Sequence, residues 1–401
     1  MNGPSGAVTA PSDARTFAPK RLAQAGMVAA GLSVLAVVPP ILIDSVVVPI
    51  ILAMAALLLG ALAIRGGESR LGGLALFAGS VGGVSGVLFA NTDTATVRNI
   101  VTAGLFASTL RFATPLVLGG LGGVMSERSG VVNIAIEGMM LMGCFWGYWV
   151  STETLSWPIG LLAAMAAGGL SALIHAFFSI HLGANQIISG TAINILALGV
   201  TSFAYRSLIG SSGTPDVDRI PIIHLPLISD IPFVGDIFGD LNLMVWLALG
   251  FVVLIWIFLT RTPWGLRLRA VGEHPRAADT VGIDVYRVRY LAVVSSGMLA
   301  GMAGAFLSFG FGSSFNEGMT DGRGFIALAA VVFGNWRPWG VLWAALLFGF
   351  ASALANALQT AAGVNATLVN ALPYIFTLVA LVGLVGRSRP PAADGQPYKK
   401  Q

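Results

Sequence analysis

Charge is scarce in this 401-residue sequence. Its 22 Lys+Arg and 18 Asp+Glu make up 10% of the chain, against roughly 25% in an ordinary soluble domain. A chain of this length folded in water would form two or three domains, and so few charged side chains cannot cover them. Lysine is scarcer still, confined to positions 20, 399 and 400. A phosphate-cradling Gly-x-x-x-x-Gly-Lys-Ser/Thr loop requires a lysine, so the chain carries no Walker-type ATPase of its own. Its one cysteine, Cys144, excludes an intrachain disulfide and a cysteine-built metal site. Inside an apolar run, that residue reads as a small buried hydrophobe. The four histidines, His175, His181, His224 and His274, lack metal-ligand spacing, and no Gly-x-Ser-x-Gly elbow is present. The pattern points away from catalysis and toward a chain that moves a solute or supports one that does.

What is abundant is apolar sequence. Hydrophobic residues make up 56% of the chain and glycine contributes 51 residues without a collagen-like period. A bilayer-spanning helix needs about 20 mostly apolar residues. Such runs fall near 22–43, 45–64, 71–90, 102–124, 130–150, 158–181, 185–209, 241–260, 287–312, 339–358 and 366–386. A shorter apolar piece, 324–335, is too brief to cross alone unless the chain breaks there. The expected fold is all-α: a polytopic integral membrane protein with about 10–12 transmembrane helices, some of them glycine-broken half-helices. Alternating ten-residue strands are absent, which excludes a β-barrel. The expected organisation is a disordered N-tail (1–21), N-terminal transmembrane helices (22–98), a core (99–386) and a C-tail (387–401).

Basic residues sort between alternate loops, as the positive-inside rule requires. The N-tail, the 65–70 loop, the turns at Arg128 and Arg337, the 261–289 loop and the C-tail hold 17 of the 22. They are placed in the cytoplasm together with both termini, which requires an even number of crossings. The 210–240 loop is acid-rich, with Asp216, Asp218, Asp230, Asp236 and Asp240 against Arg219, and faces outward. The net charge of +4 thus expresses topology in a lipid bilayer and gives no sign of a nucleic-acid partner.

Three polar, glycine-broken segments lie at membrane depth. In the first, 126–140, Glu137 follows Asn133 by four residues, one helical turn, so both share a face if the segment is helical. An ionisable group there is costly and marks a functional site by default. Arg111, the other intramembrane charge, is a candidate partner for it. In the second, Gln186, Gly190 and Asn194 fall at i, i+4 and i+8, with Asn185 and Ser189 beside them. Such amides suit a polar, uncharged solute, or equally serve as interhelical hydrogen-bond glue. The third, 321–334, is a short helix opened by glycines and carrying Phe325. Paired short or broken segments in the two halves of a transporter point to its binding site, and 126–140 with 320–335 make such a pair. Spacings such as Gly79/Gly83, Gly82/Gly86, Gly119/Gly123 and Gly297/Gly301 permit close helix contact. In the charged 261–289 loop, Pro275 opens a short helix and Gly282 stops it. Lying across the membrane surface, that helix is shaped to enter a groove on a partner.

Four blocks carry a family resemblance: 127–140 (Glu-Arg-Ser-Gly-Val-Val-Asn-Ile-Ala-Ile-Glu-Gly-Met-Met), 184–194 (Ala-Asn-Gln-Ile-Ile-Ser-Gly-Thr-Ala-Ile-Asn), 269–283 and 324–340. In them the sequence resembles permease subunits of bacterial ATP-binding cassette importers, in the branched-chain amino acid/ribose permease superfamily. Its nearest branch there is the nucleoside permeases, also annotated for simple sugars. The resemblance covers most of 100–386 and weakens over 1–90. It implies a non-catalytic subunit of the cytoplasmic membrane, with no cofactor bound by the chain itself. ATP-Mg would sit on partner ATPase subunits. The further partners implied are a substrate-binding lipoprotein outside and a second permease subunit, a heterodimer being favoured over a homodimer. Asn133, Glu137, Asn185, Gln186, Ser189, Asn194 and Phe325 are the residues expected along the solute path. Glu273, Arg276, Ala277, Ala278 and Gly282 are those expected to couple to the ATPase. Arg276 stands where many importers have glutamate. The competing readings are a permease for simple sugars or branched-chain amino acids, and a secondary transporter in which Glu137 binds a coupling proton.

Overall fold

The computed structural model describes residues 19–35, 47–67, 71–72, 75–76, 78–79, 82–83, 103–210, 215, 217–231, 234–361 and 388–400. They belong to two compact units, one formed by 1–94 with 378–386 and the other by 95–377 with 387–401. The expected span 366–386 and most of 71–90 lie outside the described residues.

In the first unit, α1 (Pro19–Leu35) packs on α2 (Val47–Arg65). Proline suits the first turn of α1, where its missing N–H costs nothing. The two helices meet closely: a Cβ on Gly26 of α1 would lie 3.2 Å from the Leu59 Cβ and 3.4 Å from Gly60 N of α2. Residues beyond α2 approach its small residues as well, since a Cβ on Gly60 would lie 2.7 Å from the Gly72 carbonyl oxygen and one on Gly79 would lie 2.9 Å from the Ala56 Cβ. Ser33 Oγ donates to the Pro49 carbonyl at 2.9 Å.

The second unit is a helical bundle. Its long helices are α3 (Ala103–Glu127), α4 (Ile136–Thr154), α5 (Trp157–Ala176, continued by a π-turn to His181) and α6 (Gln186–Leu208). After an outer connection come α9 (Leu243–Arg261), α12 (Val285–Ala305, with a π-turn to Phe311) and α14 (Pro338–Ala361). That connection holds the short helices α7 (Pro226–Ser229) and α8 (Val234–Phe238). It also holds one exception to the all-helical expectation, strand β1 (Ile222–His224) paired antiparallel with β2 (Asp240–Asn242). Asn242 stops the sheet and caps α9, accepting from Met244 N while donating to the carbonyls of Ile220 and Gly310. Among the described residues of both units, seven helices are long and apolar enough to cross a bilayer, and the fold is that of a polytopic membrane protein.

Helices α3 and α12 form the buried centre, with α4, α5, α13 (Arg323–Phe333) and α14 around them. Between helices in lipid there is no hydrophobic drive, so contact depends on close fit. Glycine provides it. A Cβ on Gly143 of α4 would lie 2.8 Å from the Gly301 carbonyl carbon of α12, and one on Gly168 of α5 would lie 2.9 Å from the Gly301 Cα. Cys144, fully buried in this seam, donates its thiol to the Gly304 carbonyl. The Gly119/Gly123 pair likewise seats α3 against Ala327 and Val331 of α13. In contrast, α6 turns large apolar side chains outward, with Ile188 and Ile195 each 69% exposed and Phe203 73% exposed.

Replacing Gly168 with valine drives a branched side chain into the α12 backbone. We expect a loss of about 1–3 kcal/mol from overpacking, read as a lower thermal midpoint of the detergent-solubilised protein. Gly199→Ala, at a position with nothing within 4 Å, is expected to leave that midpoint unchanged or slightly raised.

Candidate functional site

The first broken segment begins where α3 ends. Gly130 takes φ +86°, a left-handed turn that glycine enters without steric cost. Ser126 Oγ donates to the Val131 carbonyl at 2.7 Å and Ser129 Oγ to the Ser126 carbonyl at 2.6 Å. Residues 131–135 are not helical, and α4 starts only at Ile136. Asn133 and Glu137 therefore do not share a helix face, contrary to the reading from spacing. The physical reason is local: the Asn133 side-chain oxygen accepts from Ala135 N at 3.1 Å, an Asx-type bond that competes with helix. Its amide donates to Ser296 Oγ of α12 at 2.9 Å.

A non-helical stretch at membrane depth must have its backbone satisfied by neighbours. Here α6 supplies much of that. Gln186 Oε1 accepts from Val132 N at 2.7 Å, and Asn194 Oδ1 accepts from Gly138 N at 2.8 Å. Asn194 Nδ2 donates to the Ile134 carbonyl at 3.0 Å. Between them Gly190 lets Ile134 and Ala135 approach. The i, i+4, i+8 stripe is thus one face, as its spacing predicts, laid along the broken segment. Ser189 bonds His175 Nδ1 at 3.1 Å, while His175 Nε2 lies 3.0 Å from the Val132 carbonyl oxygen. Asn185 stands apart as the exposed N-cap of α6, accepting from Ile187 N and Ile188 N. Gln186 Nε2 is buried without a partner.

The second broken segment is α13, eleven residues long and about 16 Å at 1.5 Å per residue, far short of a bilayer. Both its ends are held by the first. The Glu137 carboxylate accepts from Gly322 N at 2.9 Å and Gly324 N at 2.6 Å, a carboxylate seated on the positive end of a helix. Gly324 admits it closely, since a Cβ there would lie 2.5 Å from the Glu137 Cα. At the other end, Trp336 Nε1 donates to Glu127 and Arg128 Nε donates to the Trp336 carbonyl at 2.9 Å. Asn335 and Trp336 adopt φ of +53° and +52° in that turn. Arg111 makes no ion pair with Glu137; among the described residues, ion pairs join Arg206 with Glu317 and His224 with Asp240. Phe325 of α13 is 48% exposed.

The loop 261–289 folds into two short helices, α10 (Pro263–Glu273) and α11 (Pro275–Thr280). Pro275 opens α11 as its sequence predicts, and Gly282, at φ +84°, turns the chain into α12. Arg276 and Ala277 are exposed and Ala278 is buried. Sequence reasoning missed what lies beside them. Residues 388–400 form a strap along this face, where a plain polar tail is expected. Ala393 N donates to the Gly272 carbonyl at 2.9 Å and Ala392 N to Glu273 Oε2 at 3.2 Å. The buried Arg289 ties the strap to the broken segment, with Nε on the Ser129 carbonyl and Nη1 on the Gln396 carbonyl, each at 3.1 Å. Tyr398, 8% exposed, packs its ring on Tyr286 at 5.6 Å. Burial pushes the Asp394 carboxyl up to about 7, against the pull of the Gly395 N–H and the Arg289 guanidinium; the Glu127 carboxyl faces it as well. The one signal available in sequence was the spacing of Tyr398 and the alanines among prolines, too sparse to separate a strap from a tail.

Residues 105–385 match the family described as branched-chain amino acid transport system / permease component. The guanosine ABC transporter permease protein NupQ of Bacillus subtilis (strain 168) is 44% identical over 308 residues, covering 73% of this chain and 95% of its own. The nucleoside ABC transporter permease protein NupC of Lactococcus lactis subsp. cremoris is 35% identical over 307 residues, 74% and 96% of the two chains. The putative glucose ABC transporter permease protein TsgC13 of Haloferax volcanii is 42% identical over 283 residues, 69% and 85%. No solved structure matches.

Removing the charge at Glu137 as Glu137→Gln is expected to cost about 1–2 kcal/mol through the helix-end interaction. Glu137→Leu, which leaves the buried Gly324 N–H and the half-buried Gly322 N–H without their acceptor, is expected to cost more, at about 1–3 kcal/mol for a buried group. Thermal melting of the purified protein orders the three. A second prediction concerns the strap. Asp394 has a higher pKa in the docked strap than in a free chain, so the docked form holds more protons between about pH 4 and pH 7. Docking is therefore strongest below that window and weakens as pH rises through it. Asp394→Asn is expected to abolish this dependence and hold the strap more firmly at pH 7–8, read by hydrogen exchange over 392–398 corrected for intrinsic rate.

Proposed function

Because the chain belongs to the family of branched-chain amino acid transport system permease components, and is the non-catalytic transmembrane subunit of an ATP-binding cassette importer, we propose that its solute is a nucleoside. The observation that carries this reading is the match to two nucleoside-type permeases over nine-tenths or more of their length. A permease of this class works with an ATPase subunit and an external binding protein. We assign the ATPase to the 261–289 face and the binding protein to the acid-rich 210–240 side; the strap of 388–400 lies on the former face, and the basic N-tail is assigned to the cytoplasm by the positive-inside rule.

The solute path runs along the two broken segments and α6. In this reading its members have different tasks. Asn133, Glu137 and Asn194 have their polar atoms engaged on backbone and neighbours, so they hold the path's shape. Ser189 does the same through His175, and Asn185 does so as a cap. Gln186 keeps a free donor, and Phe325 offers an exposed ring of the kind on which a nucleobase stacks. Helices α3, α4, α12 and α13 would shift as the path alternates, with Glu137 marking the joint between the halves. Glu273, Arg276, Ala277, Ala278 and Gly282 transmit closure of the ATP-Mg-loaded subunits, and a sister permease supplies the other half of the conduit. The proton-coupled alternative has little to draw on, since both Glu137 oxygens serve as a helix cap. A sugar remains the second reading because of the 42% identity to a putative glucose permease.

Uptake into cells expressing the whole importer tests the solute. Labelled nucleoside is expected to be taken up, with excess unlabelled guanosine suppressing that uptake and excess glucose leaving it unchanged; uptake of labelled glucose in place of nucleoside assigns a sugar. Phe325→Ala is expected to raise KM for nucleoside about tenfold, in keeping with ~1–1.5 kcal/mol for a lost ring contact, without reducing the amount of complex assembled. An unchanged KM would take Phe325 off the path.

A further inference from the structure

The strap and α11 enclose a cleft of about 590 Å³, lined on one side by residues 273–277 and on the other by the strap up to Lys399. Its charges are arranged in one sense. Glu273, though exposed, faces the strap, its carboxylate accepting from Ala392 N at 3.2 Å, and the Asp279 carboxylate lies against the Tyr398 hydroxyl. Both carboxylates of this helix pair thus take a hydrogen bond from the strap. Arg276 and Lys399, on opposite walls, are exposed and remain as the outward cations. We propose that the strap is the second wall of the ATPase-docking site, so that the cleft between it and α11 receives an acidic side chain of the ATPase subunit between Arg276 and Lys399. This rests on the reading that 261–289 is the ATPase face.

Two features of the strap support it beyond charge. The strap is part of the folded face, pinned by Gly272, Glu273, Arg289 and Tyr286. It also reaches the solute path. Arg289 bonds strap and Ser129 together, and a Cβ on Gly395 would stand 3.5 Å from a Val132 methyl. Val132 is the residue whose N–H is held by Gln186. A load on the cleft is therefore applied to the first broken segment directly, as well as through α12.

The test uses the assembled importer, with the permease tagged, and measures binding of its own ATPase subunit to the permease at low and high salt. Arg276→Glu, Lys399→Glu, Lys399→Arg and a chain ending before Ser388 are compared with wild type. Lys399→Glu is expected to weaken binding about tenfold at low salt, with the difference shrinking at high salt, as for a charge at an interface rim. Lys399→Arg is expected to bind as wild type, and the shortened chain to bind at least as weakly as Lys399→Glu. If Arg276→Glu weakens binding while Lys399→Glu binds as wild type, the strap is no part of the site and the ATPase face stands. If Arg276→Glu and Lys399→Glu both bind as wild type, the ATPase face itself is misassigned. Lys399 is an exposed residue near the chain end, so its substitution reads docking even where the shortened chain fails to fold.

Discussion

A backbone that leaves the helix inside a bilayer must find a partner for every N–H and C=O it frees, because lipid offers none. That constraint organises the second unit. The chain stops being helical at 128–135 and again at 312–322, and the side chains around these breaks are directed at backbone atoms. Gln186, Asn194, Asn133 and His175 serve the first break, and the Glu137 carboxylate serves the second. Because Glu137 belongs to the helix that follows the first break, the first broken segment helps to satisfy the second. The two are one device.

A device of this kind is rigid as a whole and movable at its joints. Helix α13 is fastened by hydrogen bonds at its two ends, to Glu137 and to Glu127 with Arg128, while the Gly119/Gly123 seam brings α3 close against it. Polar end-fastenings of this sort cost little to exchange for others, whereas interdigitated packing would have to be undone. The arrangement suits a gate that must occupy two positions with comparable energy. It also explains why so few polar atoms are left over for a solute. The groups that look like a binding site in sequence are largely engaged in hydrogen bonds to backbone and neighbouring side chains, with the Gln186 amide nitrogen and the Phe325 ring as the exceptions.

The legibility of these features in sequence follows the same division. Periodic features could be read: the spacing of Gln186, Gly190 and Asn194, the seams at Gly119/Gly123 and Gly297/Gly301, and the Pro275 to Gly282 helix are local patterns that the structure keeps. The shared face of Asn133 and Glu137 could not be. Four-residue spacing means a shared face only if the chain is helical between them, and the Asx bond at Ala135 with the turn at Gly130 prevents that. The pairing of Glu137 with Arg111 failed for a related reason. Charge complementarity in sequence counts side chains, while the strongest cation-like neighbour of Glu137 is a helix end, a property of backbone arrangement.

The strap was invisible on still different grounds. It has no helical or strand period, and its sequence between Ser388 and Lys400, rich in proline and small residues, reads as solvated tail. What orders it is borrowed: a carbonyl at Gly272, a carboxylate at Glu273 and a guanidinium at Arg289. Arg289 is central to that loan. Buried at 1% exposure, a guanidinium needs acceptors on several sides, and it takes them from the strap and from Ser129 together. Removing the strap would therefore strand a buried charge beside the first break. The 261–289 face and the first break meet at this arginine, and also through α12 and the contact of Gly395 with Val132.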